Sequence, residues 1–148
     1  MSSNLSIHVE NTINTSIETV FDFLMHPQKH PGIMPGLTEF RNIPKDLREG
    51  EKFDFTYHMY GVNLNGTWTI TKHHYPDSYE GQTTGDIISS WKYVLTMAHG
   101  CTHIALDITY DPPQSVLARL QQGIVRRLNE KAAERFLDNI KLILEPIS

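Results

Sequence analysis

The sequence has one cysteine, Cys101, among 148 residues. A single cysteine excludes an intrachain disulfide and the zinc sites that need paired cysteines. The sequence also lacks a run of about 18 apolar residues, which a membrane-spanning helix requires. Its first residues lack the charged and then apolar pattern of a signal peptide. These absences predict a cytoplasmic protein in a reducing compartment, without stable membrane insertion.

Positive charge is also scarce. The chain has 13 Lys and Arg against 17 Asp and Glu, a formal net charge of -4. Such a chain has no overall attraction for phosphate backbones, so nucleic acid is not an expected partner. The glycines lie dispersed at turns and form neither a phosphate-binding loop nor a dinucleotide fingerprint. We therefore expect no nucleotide and no other cofactor.

Eight histidines are present, but their spacing does not predict a metal site. His73 and His74 are neighbours on a predicted strand, so their side chains point to opposite faces. His26 and His30 are each followed by proline, which breaks the helical spacing that a two-histidine ligand pair needs. We expect no bound metal, and histidines that are exposed or hydrogen-bonded.

The length and composition fit one globular domain over residues 1–148, with 39% hydrophobic and 20% charged residues. Alternation of apolar and polar residues from Leu5 predicts a first strand. Helical spacing after Thr15 or Ser16 predicts a helix that stops by His26, followed by a loop or very short helix. Six further strands are predicted between turn signals, at 38–43, 51–60, 64–75, 78–84, 89–97 and 102–111.

A long helix is predicted at the end of the chain. Ser115 can cap it, and apolar residues recur at spacings of three and four as far as Leu144. Gly123 would lie inside this helix, where it either kinks the helix or makes room for a neighbouring loop or ligand. The fold class is therefore α+β: a curved antiparallel sheet of six to seven strands grips a long C-terminal helix, with one or two short helices after the first strand.

A curled sheet around one helix encloses more volume than one helix can fill, so we expect a cavity between them. The apolar, aromatic-rich residues of one strand parity and of the helix stripe are the predicted ligand-binding residues. They are Phe55, Tyr57, Met59, Trp68, Ile70, Trp91, Tyr93, Leu95, Leu106, Ile108, Tyr110, Leu120 and Ile124. His74 has the same parity as Trp68, which places it either at one end of the cavity or in water. The inward parity of residues 79–84 stays open, because polar residues occupy both faces.

Several segments resemble one family of proteins. They are INTSIETVFDFL at 13–24, HPQKHP at 26–31, MPG at 34–36, WKYVLT at 91–96, GCTHI at 100–104 and YDPP at 110–113. In this order they resemble the START-like, SRPBCC or helix-grip superfamily over nearly the whole chain. The likeness is strongest to its polyketide cyclase/dehydrase and lipid-transport branch, which includes coenzyme-Q-binding proteins. The resemblance implies a hydrophobic ligand cavity between sheet and helix, and it carries over no catalytic set.

Three functions follow as hypotheses. The first is binding, or transport, of a small hydrophobic or amphipathic molecule such as a lipid, isoprenoid or polyketide. The second is a polyketide cyclase, aromatase or dehydratase, with Tyr57, Tyr93, Tyr110 or His74 as the acid–base groups. The third is a protein-interaction module that presents the sheet or the long helix. The sequence leaves open whether the chain is an enzyme, which ligand it takes and how many copies assemble.

Overall fold

The computed structural model describes residues 5–146. Its strands are β1 (Leu5–Ile13), β2 (Leu37–Arg41), β3 (Lys52–Met59), β4 (Val62–His74), β5 (Ser78–Gly85), β6 (Ile88–Ala98) and β7 (Cys101–Asp111). Its helices are α1 (Ile17–Leu24), a 3₁₀ turn at Pro27–Lys29, α2 (Gln114–Leu117) and α3 (Gln122–Leu144). The predicted order of elements is confirmed.

All seven strands form one antiparallel sheet in the order β1-β7-β6-β5-β4-β3-β2. The sheet is curled into a half-barrel around the C-terminal helix, which confirms the predicted helix-grip fold. Side chains alternate between its faces, as Phe53 and Phe55 show on β3, where both are buried while Lys52 is exposed. The concave face and the helices against it enclose the apolar core.

Helix α1 begins where the sequence provides a cap. The Ser16 side chain accepts a hydrogen bond from the Thr19 backbone N–H at 3.2 Å. Five of the eight residues of α1 are buried, including Phe21 and Leu24. These residues turn α1 toward the sheet, where the helix packs against β6 and β7.

The C-terminal helix is shorter than predicted. Residues 115–144 do not form one helix: α2 ends at Leu117 and α3 begins only at Gln122. The reason lies in Val116 and Val125, which are both fully buried. Nine residues apart, they would lie on opposite sides of a continuous helix, because each residue turns the helix by about 100°. The break lets both of them face the core.

Of the two alternatives for His74 the structure shows the one in water, and the expectations for Gly123 need correction. Register shifts between Ile70 and Lys72 on β4, a β-bulge that reverses the alternation beyond it. His74 is therefore exposed and bonded to Asp77 at 2.7 Å, while His73 packs edge-on against Phe21. Gly123 lies in the first turn of α3 with open space around it, so it neither kinks the helix nor makes room for a neighbour.

Within residues 5–146, no helix has the length and apolarity to cross a bilayer.

Candidate functional site

A cavity lies between the concave face of the sheet and α3, as predicted. Strands β1 to β7, the segment 24–37 and one side of α3 all contribute to its lining. Its free volume is about 100 Å³, and the cavity is partly open to solvent. This volume exceeds what a single water needs.

Eight of the thirteen predicted ligand-binding residues line this cavity. They are Phe55, Tyr57, Met59, Trp68, Trp91, Tyr93, Ile108 and Tyr110. The other five are not brought to it. Ile70, Leu95 and Leu106 are almost fully buried in the surrounding core, while Leu120 lies in the break before α3.

Ile124 is a clear correction, because it is 43% exposed on α3. The predicted apolar stripe ran through Ile124 and Leu128, but the first buried residue of α3 is Val125. Val125, rather than Ile124, joins Ala133 and Phe136 on the buried side. The face of α3 that meets the cavity is therefore rotated by about one residue from the prediction at its N-terminal end.

The sequence reasoning missed several lining residues. The loop after α1 contributes His30 and Met34, and α3 contributes Asn129, Ala132 and Ala133. Loop residues carry no periodic signal, so nothing in the pattern marked His30. Strand β5, whose inward face stayed open, turns Tyr79, Gly81 and Thr83 inward.

Gly81 allows the Trp68 side chain of β4 to lie close against the backbone of β5. A Cβ atom there would lie 2.0 Å from the nearest atom of the Trp68 ring, so only glycine fits. The indole can therefore lie flat over β5, where its Nε1–H donates a hydrogen bond to the Tyr79 hydroxyl at 2.9 Å. Tyr79 in turn stacks on Tyr93 with ring centroids 5.8 Å apart. One wall of the cavity is thus an aromatic layer, which can form because Gly81 has no side chain.

A second set of hydrogen bonds links β5 and β6. The Thr83 and Ser89 hydroxyls are 2.6 Å apart, and Thr83 also donates to the Ile87 carbonyl at 3.0 Å. Trp91 donates from its Nε1–H to the Ser89 oxygen at 3.0 Å. These groups satisfy one another, so they hold the Trp91 ring in place.

Two tyrosines of the lining are tied to the protein. The Tyr57 hydroxyl donates to the Pro35 carbonyl at 2.9 Å. Tyr110 accepts a hydrogen bond from Asn129 at 2.8 Å, and the other end of the same amide accepts one from Tyr60 at 3.1 Å. Asn129 thereby connects α3 to both β7 and the turn after β3.

His30 is a buried histidine in the lining, 5% exposed. Its Nε2–H donates to the Phe23 carbonyl at 3.1 Å, and aromatic rings of Phe23, Phe40 and Phe136 surround it. Burial lowers the pKa of His30 to about 4, so the ring is neutral near pH 7. A neutral imidazole that donates from Nε2 keeps Nδ1 as a hydrogen-bond acceptor.

The tyrosines are poor bases. Burial raises the pKa values of Tyr57, Tyr79 and Tyr93 far above that of free tyrosine, and it raises the pKa of Tyr110 as well. No Lys, Arg, Asp or Glu of residues 5–146 lines the cavity. The same residues contain no group of three or more His, Cys, Asp or Glu side chains placed to hold a metal ion. The cavity is therefore an uncharged aromatic chamber with hydroxyl and imidazole groups as its polar points.

Comparison with known proteins gives a consistent result. Residues 4–145 match the family model described as polyketide cyclase / dehydrase and lipid transport. No curated protein matches the sequence.

Solved structures with the same fold share little sequence with this chain. TTHA0849 from Thermus thermophilus has a TM-score of 0.77 at 14% identity, over 93% of this chain and 95% of that one. A START superfamily protein from Mycobacterium smegmatis has a TM-score of 0.72 at 12% identity, over 95% and 96%. Ara h 8.0201 has a TM-score of 0.68 at 15% identity, over 96% and 99%. At such identities the likeness establishes the fold.

Proposed function

The chain belongs to the polyketide cyclase/dehydrase and lipid transport family, and from this premise we propose that it binds a small hydrophobic molecule inside its cavity. A lipid, isoprenoid or polyketide has the required character. The observation that carries the proposal is the lining: mostly aromatic and aliphatic side chains of β1 to β7 and of α3 converge on one cavity. Such concave, mostly apolar sites with a few placed polar groups are typical of small-molecule binding.

Binding is favoured over catalysis by the state of the polar groups. A general base needs a pKa near the working pH, whereas burial raises the tyrosine pKa values and leaves His30 neutral. The Tyr57 hydroxyl also donates its proton to the Pro35 carbonyl, and the Tyr110 oxygen accepts a hydrogen bond from Asn129. His74, the other candidate acid–base group, is exposed and paired with Asp77. The interaction-module hypothesis and the cytoplasmic location stay predictions.

Native mass spectrometry of the purified protein, with N-phenyl-1-naphthylamine as an added apolar fluorescent probe, tests the proposal. We expect either a co-purified hydrophobic molecule or saturable probe binding at one site per chain. Ala133→Phe would place a ring in the cavity from α3 and should abolish that binding, because Ala133 is buried in the lining. Ala98→Phe, at the exposed end of β6, is the matched control and should bind normally. Equal probe binding by both variants would contradict the proposal.

A further inference from the structure

The geometry points to Tyr93 as the residue that selects the ligand, which we infer to be a neutral molecule carrying a hydrogen-bond acceptor, such as a carbonyl, on an otherwise apolar body. This inference rests on the proposed function, because it names the class of molecule that the same cavity takes. It goes further in assigning one hydroxyl to one feature of the ligand.

The first observation is that the Tyr93 hydroxyl lacks a partner. Tyr93 is 3% exposed and lines the cavity, yet no hydrogen bond joins its hydroxyl to any other residue of 5–146. Tyr57 and Tyr60 donate from their hydroxyls, and the hydroxyls of Tyr79 and Tyr110 accept hydrogen bonds. Among the tyrosines that line the cavity in the described part of the chain, only Tyr93 makes no hydrogen bond through its hydroxyl. A buried polar group without a partner is unfavourable, and its presence in a lining calls for a ligand or water.

The second observation is that the Tyr93 oxygen is not sealed inside the core. Among residues 5–146, the side-chain oxygen that is both unpartnered and fully inaccessible belongs to Asp111, not to Tyr93. Tyr93 is otherwise buried, lines the cavity and stacks on Tyr79 through its ring. From this we assign the accessible side of its oxygen to the cavity.

The third observation is the charge of the surroundings. The cavity lining among residues 5–146 contains no cationic side chain, and His30 is neutral near pH 7. A carboxylate or phosphate buried there would lose its water without gaining a counter-charge. Burial also raises the pKa of Tyr93, so its hydroxyl keeps its proton and acts as a donor. A hydroxyl that donates a hydrogen bond inside an uncharged cavity therefore fits a ligand with a neutral acceptor atom.

Substitution of Tyr93 can isolate this contact. Tyr93→Phe removes a hydroxyl that no other residue uses, so it leaves no protein group without its partner. Tyr79→Phe would instead leave the Trp68 indole N–H unpaired. Tyr75→Phe is the matched control, because Tyr75 is 50% exposed and outside the lining.

The test compares 9-fluorenone with fluorene, which differ in one carbonyl group, as competitors of N-phenyl-1-naphthylamine. We expect the unmodified chain and Tyr75→Phe to bind fluorenone roughly five- to ten-fold more tightly than fluorene, the range that one net hydrogen bond allows. Tyr93→Phe should bind both equally, and its melting temperature without ligand should be unchanged or higher. The anionic probe 8-anilinonaphthalene-1-sulfonate should compete at least roughly ten-fold more weakly than N-phenyl-1-naphthylamine binds.

The outcomes separate this inference from the proposed function. If the neutral probe binds but fluorenone and fluorene compete equally with the unmodified chain, the role of Tyr93 is overturned and cavity binding stands. The role of Tyr93 is also overturned if Tyr93→Phe still binds fluorenone more tightly than fluorene. Tighter binding of the anionic probe would overturn the neutral class of ligand. Failure of every neutral probe to bind to protein that native mass spectrometry shows to carry no co-purified molecule would overturn the proposed function and this inference with it.

Discussion

On the two sides of the sheet the pKa of a histidine is shifted in opposite directions. On the concave side His30 is enclosed by aromatic rings, and burial lowers its pKa to about 4. On the convex side His8 of β1 lies 2.6 Å from both Glu10 and Asp107, and its hydrogen bonds to these carboxylates raise its pKa. The surroundings thus favour the neutral form of the inner histidine and the charged form of the outer one. One layer of backbone separates an apolar environment from an aqueous one.

The convex face carries most of the polar contacts between strands. Arg41 donates to Thr56 at 2.6 Å and to Glu39 at 2.8 Å, and Asp54 accepts from Thr67 at 3.1 Å. These contacts are exposed or half-buried, so each contributes little to stability on its own. The concave face carries most of the apolar burial, and most of its polar groups are hydrogen-bonded within the protein.

The largest expected effect comes from placing a charge on each face at neighbouring positions of β7. Ile108→Asp, on the concave face, should destabilise the protein by at least about 4 kcal/mol or prevent folding, because it loses apolar burial and buries a carboxylate without a cation. Thr109→Asp, on the exposed face, should change stability by less than about 1 kcal/mol. Urea unfolding followed by circular dichroism measures both.

Ile108→Ala is the control for this pair, since it removes the same apolar contacts without adding charge. We expect Ile108→Asp to be less stable than Ile108→Ala by about 2 kcal/mol. Equal stability of these two variants would mean that the concave face accepts charge, and the contrast between the faces would be lost.

A smaller effect is expected from His30 as the pH falls. Its pKa is about 4 in the folded protein against 6.5 as the ordinary value, so the unfolded chain takes up a proton first. The stability due to the neutral ring is complete above about pH 6.5 and is lost as the pH falls through about 4, by roughly 3 kcal/mol in total. The free energy of unfolding, measured by urea titration across this pH range, should decline accordingly.

His30→Phe is the variant that isolates this decline. The Phe23 carbonyl still accepts a hydrogen bond from the His26 backbone N–H at 3.1 Å, so the substitution leaves no unpaired carbonyl. The variant should lose less stability than the unmodified chain between about pH 6.5 and pH 4. Parallel pH curves for the two proteins would show that His30 is solvated and not part of an apolar chamber.

The smallest effect is expected from His8, with the opposite sign. Because its pKa is raised in the folded protein, its contribution is complete below the ordinary value of 6.5 and disappears as the pH rises through the folded-state pKa. His8→Asn should lower the melting temperature slightly at about pH 6 and not at about pH 9, and added salt should weaken the difference. His99→Asn, at an exposed turn, is the control. If His8→Asn still has a lower melting temperature than the unmodified chain at about pH 9, His8 stabilises the protein through packing and not through its charge.

The sequence predicted the strands well because alternation is a strong signal where one face is buried. Phe55, Tyr57 and Met59 were assigned to the cavity from parity alone, and all three line it. Prediction failed where the parity changes without warning. The bulge between Ile70 and Lys72 moved His74 out of the cavity's reach, and no residue type marks such an insertion.

The helix was harder to predict than the sheet. Spacings of three and four fit Ile124 as well as Val125, because a continuous helix and an interrupted one share most of the same apolar residues. The break after α2 decides between them, and it results from the need to bury Val116 as well. His30 and Tyr79 were missed for another reason: the loop has no period, and β5 has polar residues on both parities. These are properties of packing in three dimensions that the linear pattern does not contain.

The pairing of β1 with β7 joins two parts of the chain that are far apart in sequence. Each of the strands β2 to β7 meets its neighbour through a short connection, but Leu5 of β1 pairs with Tyr110 of β7. Near the other end of the chain, Glu145 accepts a hydrogen bond from the Asn14 backbone N–H at 3.0 Å and Lys141 donates to the Thr12 carbonyl at 2.7 Å. Contacts of such long sequence separation slow folding, and the cavity is complete only once strands and a helix that are far apart in the sequence have come together.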